Sequence, residues 1–210
     1  RLSSDNGRLV QNPLETRGYV GLWDADAECY TLHAAAGKPQ TVGRDLAQFV
    51  FDLPEDRVQT VVKDVGGGFG AKNPLYPEQA LVLWTAKKLN RPVSWQSSRS
   101  ETFLADYQGR GQAADAEMAL DETGSVLALR VKILADLGAF LGPRGSTAPN
   151  MWRTMGASVY DLSVVDYNVS AIHTHNMPTC PYRGAGAPEA VFLIERLFDM
   201  AAAKLGLSAG

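Results

Sequence analysis

Two glycine-rich stretches carry the residues best suited to chemistry. The first is Val65-Gly66-Gly67-Gly68-Phe69-Gly70-Ala71-Lys72. The second is Pro181-Tyr182-Arg183-Gly184-Ala185-Gly186-Ala187-Pro188-Glu189-Ala190. Glycine lets a backbone approach a bulky ligand without a Cβ in the way, and it leaves N–H groups open to donate. Phe69, held between glycines, reads as an aromatic presented at a cavity wall. Arg183 adds a forked donor suited to a phosphate or another oxyanion. Lys72 is followed by Asn73, so the first stretch is not a P-loop, and Ala71 stands where the dinucleotide fingerprint needs its last glycine. Two such loops suit a ligand that is large, flat and anionic. The simpler readings are a tight turn at 66–70 and an Arg183 that only ties its loop to a neighbouring acid.

Other polar residues invite less. His173 and His175 alternate on what reads as one strand face, but the sequence offers no further ligands to complete a zinc site. Asp24, Asp26 and Glu28 lack the glycine and the closing glutamate of a calcium loop and read as a solvated turn. Cys29 and Cys180 have neither CxxC nor metal-ligand spacing and read as two reduced thiols of a cytoplasmic protein.

Both loops need a strand or loop before them and a helix after them. Arg57 to Val62 is the strand that leads into the first, and Leu75 to Leu89 is the helix that follows. Pro74 and Pro77 fit its first turn, and Ala80, Leu83, Trp84 and Lys87 form its stripe. Trp84 and Trp95 read as core. Before the second loop, Val164 to His173 alternates as a strand. After it, Ala187 opens a helix with Val191, Ile194, Leu197, Phe198 and Ala201 on its apolar face and Gly206 as its C-cap. Elsewhere, residues 1–16 read as an entry loop. Gly18–Trp23 with Cys29–His33 reads as a hairpin. Gln40 to Phe51 is a helix that stops before Leu53-Pro54. Val93-Ser94-Trp95 is a short strand, and Gln112–Leu120 with Val126–Asp136 is a second hairpin. Leu137 to Tyr160 is a long irregular connection of the kind that often carries function. The hairpins preclude an all-parallel sheet, so the fold class is α+β, a mixed sheet with packed helices.

Composition sets outer limits. The chain has 210 residues, 45% of them hydrophobic and 20% charged, with a net charge of −3. These are the proportions of a globular protein with a full core. There is no dense basic stripe with interleaved aromatics, which argues against nucleic acid as partner. No apolar run reaches 18 residues, which argues against a membrane-spanning helix. The start without Met and the abrupt Ser208-Ala209-Gly210 end suggest a piece of a longer protein.

The two loops together resemble the molybdenum-binding large subunit of the xanthine dehydrogenase, aldehyde oxidase and carbon monoxide dehydrogenase family. Asn12-Pro13-Leu14-Glu15-Thr16-Arg17-Gly18, Leu53-Pro54-Glu55-Asp56-Arg57-Val58, Asn90-Arg91-Pro92-Val93 and Ala135-Asp136-Leu137-Gly138-Ala139-Phe140 are similar to it in order. The resemblance implies that residues 1–210 are the first molybdenum-cofactor-binding region of a longer catalytic subunit. It implies molybdopterin as cofactor, as the cytosine dinucleotide in a bacterial source, with the metal held by the pterin dithiolene and not by protein side chains. Gly67, Gly68, Phe69 and Gly70 would then line one side of the cofactor, and Tyr182, Arg183, Gly184 and Ala185 would close over it. The implied reaction hydroxylates an aldehyde or heteroaromatic carbon with oxygen from water and passes electrons to Fe–S and flavin (FAD) subunits or domains. The catalytic glutamate would lie in the C-terminal half of such a subunit, so Glu78, Glu189 and Glu195 are not assigned that role, and this chain alone would be inactive.

Departures from the pattern narrow the substrate. Carbon monoxide dehydrogenases resembling this chain carry a copper-bridging cysteine after the Tyr-Arg pair, whereas Gly184-Ala185-Gly186 stands here and Cys180 lies before it. Asn73 and Ala185 replace the acid and the aromatic usual in xanthine-oxidising members. An aldehyde or a heteroaromatic ring stays open. The competing reading is a cofactor-free interaction or assembly module that kept the fold, and a simple phosphate- or nucleotide-binding domain is a third.

Overall fold

The computed structural model describes residues 1–207, so Ser208-Ala209-Gly210 lies outside the described residues. The chain divides into two compact units. One joins Arg1–Leu9 to the chain from Tyr107 onward, and the other is Val10–Asp106. In chain order the strands are β1 (Leu2–Asn6), β2 (Gly18–Asp24), β3 (Cys29–Ala34), β4 (Val58–Val61), β5 (Val93–Gln96), β6 (Gln112–Leu120), β7 (Val126–Asp136) and β8 (Val165–Ile172). The helices are α1 (Pro39–Asp45), α2 (Pro77–Leu89), α3 (Arg99–Ala105), α4 (Thr147–Asn150), α5 (Trp152–Met155) and α6 (Ala187–Leu205).

The Val10–Asp106 unit is built on a sheet of order β4-β3-β2-β5. β2 and β3 form the expected hairpin, from Tyr19 opposite Ala34 to Asp24 opposite Cys29. β4 runs parallel to β3, which makes the sheet mixed. α1 continues into a wider helical turn, Leu46–Phe51, and stops at Asp52 in the left-handed conformation, ahead of Leu53-Pro54 as the proline requires. Tyr30, Leu32, Val42, Leu46, Val58 and Leu83 meet in its core. α2 starts at Pro77, so Pro74 precedes it, and it buries Gln79, Val82, Leu83 and Ala86. Trp84 is not core: it is 52% exposed, with Lys88 Nζ 4.8 Å above its ring. The apolar face is turned by one residue from the expected stripe, because Val82 and Ala86 pack inward where Trp84 cannot. Trp95 does pack against the core. α3 was not expected. Its start is a capping box, with Glu101 N–H donating to Ser98 Oγ at 3.2 Å and Ser98 N–H donating to Glu101 Oε2 at 2.7 Å.

The other unit carries a sheet of order β1-β6-β7-β8. β6 and β7 form the expected antiparallel hairpin, and β8 lies parallel to β7 from Val165 opposite Leu129 to Ile172 opposite Asp136. β1 corrects the entry-loop reading of residues 1–16. Leu2–Asn6 pairs antiparallel with Ala116–Gln112, although its own side chains are too polar to signal a strand. α6 packs Ala190, Leu193, Ile194 and Leu197 onto this sheet. Val191 is 37% exposed, so the buried stripe lies one residue earlier than expected at that end. The long connection after β7 is not wholly irregular, since it holds the single turns α4 and α5 and buries Trp152. β8 ends before His173, so the two histidines do not share a strand face. His173 Nδ1 instead lies 3.0 Å from the Gly138 carbonyl.

Candidate functional site

The first glycine loop leaves β4 and reaches α2 through a set of clamps. Lys72 is buried, and its Nζ donates to Glu15 Oε2 at 2.6 Å. The same oxygen accepts the Gly66 N–H at 2.9 Å, and Glu15 N–H donates to the Gly66 carbonyl at 3.1 Å. One carboxylate therefore holds both ends of the loop. Burial pushes the Glu15 carboxyl up, but the hydrogen bonds from Lys72 and Gly66 and the ammonium charge bring it below the usual carboxylate value. Ala71 N–H donates to the Gly68 carbonyl and Asn73 N–H to that of Gly70, while Tyr76 Oη–H caps the Ala71 carbonyl. Beneath the loop, Arg17 is buried between Asp106 at 2.6 Å and Glu78 at 2.9 Å, with Tyr76 stacked 3.8 Å from its guanidinium. Glu78 is thus an anchor for Arg17.

With its ends fixed, the middle of the loop is forced into unusual backbone. Gly67, Phe69 and Gly70 have φ of 93°, 50° and 113°. A phenylalanine in the left-handed region costs roughly 1–2 kcal/mol, and such strain gathers at ligand-binding loops. Phe69 is 43% exposed. Among the described residues, the N–H groups of Gly67, Gly68 and Phe69 have no protein acceptor. Gly68 is distinctive. Its φ is outside the left-handed region, and a Cβ there would find only Lys72 Cβ at 3.8 Å. Neither backbone conformation nor packing demands glycine at this position. The space its missing side chain leaves is open.

The second loop is held from the other side by Arg110. This residue donates to Glu189 Oε2 at 3.0 Å and to the Arg183 carbonyl at 3.2 Å, and its guanidinium lies 4.5 Å from the Tyr182 ring centroid. Glu189 is buried in the first turn of α6, where the helix dipole favours its charge. Tyr182 packs directly on the backbone of Gly109. The stretch Gly184-Ala185-Gly186 is left-handed throughout, at φ of 92°, 48° and 101°. A Cβ on Gly186 would overlap the Ala148 carbonyl of α4, so the connection after β7 braces this loop. Arg183 itself is exposed and forms no ion pair among the described residues. The tie to an acid that it might have made belongs to Arg110.

Gly67, Gly68, Phe69 and Gly70 therefore lie together in the Val10–Asp106 unit, and Tyr182, Arg183, Gly184 and Ala185 lie together in the other. Each set includes one non-glycine residue in the left-handed region, Phe69 or Ala185; the first adds N–H groups with no protein acceptor and the second adds Arg183, which forms no ion pair among the described residues. Glu15, Arg17, Arg110 and Glu189 were not singled out as supports by their sequence alone. Glu15 and Arg17 sit in a stretch already noted, and Glu189 follows the second loop, so local motifs mark three of the four. Arg110 has no such signal, because its partners are 72 to 79 residues away. Among the described residues no cluster of His, Cys, Asp and Glu could hold a metal ion, and no helix is long and apolar enough to cross a membrane.

Comparison with known proteins identifies the family. Residues 2–209 match the molybdopterin cofactor-binding domain family. The carbon monoxide dehydrogenase large chain of Hydrogenophaga pseudoflava is 32% identical over 206 residues, which are 95% of this chain and 25% of that one. The nicotine 6-hydroxylase large subunit of Paenarthrobacter nicotinovorans is 30% identical over 96% of this chain and 25% of its own. The crystal structure of quinoline 2-oxidoreductase from Pseudomonas putida 86 superposes with a TM-score of 0.95 at 33% identity, covering all of this chain and 27% of that one. The chain spans about a quarter of the length of these relatives. It belongs to the molybdopterin cofactor-binding domain family, whose matched relatives include large subunits of molybdenum hydroxylases.

Proposed function

We propose that this chain forms the part of a molybdenum hydroxylase catalytic subunit that holds the molybdopterin cofactor through its two glycine loops. The whole enzyme would hydroxylate an electron-poor carbon of a nitrogen heteroaromatic ring. The observation that carries the reading is Gly68: a glycine the fold does not require, beside N–H groups with no protein acceptor. A ligand that approaches the backbone closely supplies both missing reasons. When bound, molybdopterin supplies a two-electron redox centre. The chain's own residues do the rest. The Gly67, Gly68 and Phe69 N–H groups would donate to the cofactor, Arg183 would meet its negative charge, and the Phe69 side chain would shield it from water. Glu15–Lys72 and Arg110–Glu189 hold these donors in place before binding, which reduces the ordering cost.

In the overall reaction the ring carbon exchanges hydrogen for a hydroxyl whose oxygen comes from water. Two electrons and two protons leave the substrate side, and the electrons pass to Fe–S and FAD subunits or domains. The cytosine dinucleotide form of the cofactor is proposed with them, as is a catalytic glutamate outside residues 1–210. Two relatives named for N-heterocycles, nicotine and quinoline, support the substrate class. Ala185, in place of a bulky aromatic, leaves room beside Arg183. Carbon monoxide chemistry is less well supported, because Cys180 is only 2% exposed and precedes Tyr182. The test is turnover by the intact protein, loaded with cofactor, on quinoline or nicotine with a dye acceptor in oxygen-18 water. Labelled hydroxy product is expected. Oxidation of aldehydes alone would overturn the heteroaromatic assignment, and a cofactor-loaded protein inert to both classes would overturn the hydroxylase reading.

A further inference from the structure

The geometry points to a binding site for one internal water molecule between β6 and the first turn of α6, which bridges Gln112 to Glu189. Both side chains are 3% exposed. Trp152 Nε1 donates to Gln112 Oε1 at 2.7 Å, so that atom is the amide oxygen and its orientation is fixed. Gln112 Nε2 is buried and has no protein acceptor. Glu189 spends Oε2 on Arg110, and its Oε1 has no protein donor. Gln112 and Glu189 line one small cavity with Ser4, Asn6 and Trp152, and it leaves about 10 Å³ for the centre of a water molecule.

The chemistry of the two atoms selects the ligand. An amide N–H needs an acceptor, and a carboxylate oxygen needs a donor. Water offers both at once. A cation would satisfy Glu189 but repel the amide hydrogens, and an anion would do the reverse. Buried polar atoms are seldom left unpaired, and a polar cavity holding roughly 10–15 Å³ of water-centre space accommodates one molecule. The water completes a chain from Trp152 through Gln112 to Glu189, Arg110 and Tyr182. It fixes the Glu189 carboxylate so that Oε2 faces Arg110. This site lies wholly within one unit of the chain and is independent of whether the loops hold a cofactor.

A crystal structure of the intact protein at about 1.6 Å resolution tests it. A single full-occupancy peak within hydrogen-bonding distance, about 2.7–3.2 Å, of both Gln112 Nε2 and Glu189 Oε1 is expected. A dry cavity, or a direct bond between the two side chains, would overturn it. Gln112→Leu is expected to empty the peak, whereas Ser4→Ala keeps it. A peak that persists at full occupancy in Gln112→Leu would show that the amide does not hold the water. If that variant does not fold, the map of the unaltered protein still decides.

Discussion

Glycine residues of the two loops do different work in this chain, and substitution separates them. Gly186 has φ of 101°, and an added Cβ would run into the Ala148 carbonyl. Gly186→Ala is expected to lose about 3 kcal/mol, from left-handed strain plus overlap with a backbone that cannot turn aside. Gly68 faces neither constraint. Gly68→Ala is expected to change stability by less than about 1 kcal/mol, because fewer unfolded conformations offset any small strain. Urea unfolding of the two variants against the parent checks both values. Glu15 gives a pH signature at the same scale. Its carboxyl sits below the usual value in the folded state, so its contribution is complete above the unfolded value of 4.5 and is lost as pH falls through the folded one. Glu15→Gln leaves the buried Lys72 ammonium with a weaker partner. The loss is expected to be about 2 kcal/mol at pH 7, less than the roughly 3–5 of a fully buried pair because Glu15 is partly exposed. The gap between Glu15→Gln and the parent should close in urea titrations carried from pH 6 to pH 3. A gap that stays constant with pH would remove Glu15 as the clamp.

Elements fix where these residues stand. α3 begins with Ser98 and Glu101 in a reciprocal capping box, and Ser98→Ala is expected to cost about 1 kcal/mol in a thermal melt. That box was readable as Ser-x-x-Glu, yet the short apolar content of Arg99–Ala105 hid the helix. Both hairpins, the mixed character of the fold, the end of the helical stretch before Leu53-Pro54 and the start of α6 at Ala187 were legible, because each has a local cause: alternation, a turn, or a proline. β1 was not, since a polar strand such as Leu2–Asn6 is defined by its partner Gln112–Ala116 and not by its own pattern. The same division holds at the site. Gly67 to Gly70 and Tyr182 to Ala185 announce themselves by composition. Arg110, which holds Tyr182 and Glu189 together, is an ordinary arginine until the chain folds. Arg110→Gln is expected to free Tyr182 and lower the melting temperature by about 5 °C, corresponding to roughly 2 kcal/mol for a buried charge left unpaired at Glu189. A melt within 1 °C of the parent, an interval of about 0.3 kcal/mol, would show that the pair does not brace the loop.

At the scale of the whole molecule, each of the two compact units carries one glycine loop, and the family match at residues 2–209 covers both. The chain spans about a quarter of the length of these relatives, so turnover is proposed for the whole protein and not for residues 1–210 alone. Gly68 and its neighbours are proposed to make room for molybdopterin. This is tested most directly by the molybdenum content of the intact protein, expressed with molybdate and cofactor supply, for the parent and for Gly68→Ala. About one molybdenum per chain is expected in the parent and at least tenfold less in the variant, a difference of about 1.4 kcal/mol or more in cofactor binding, with unchanged urea midpoints. A parent that carries no molybdenum, or a Gly68→Ala variant that carries as much as the parent, would contradict it.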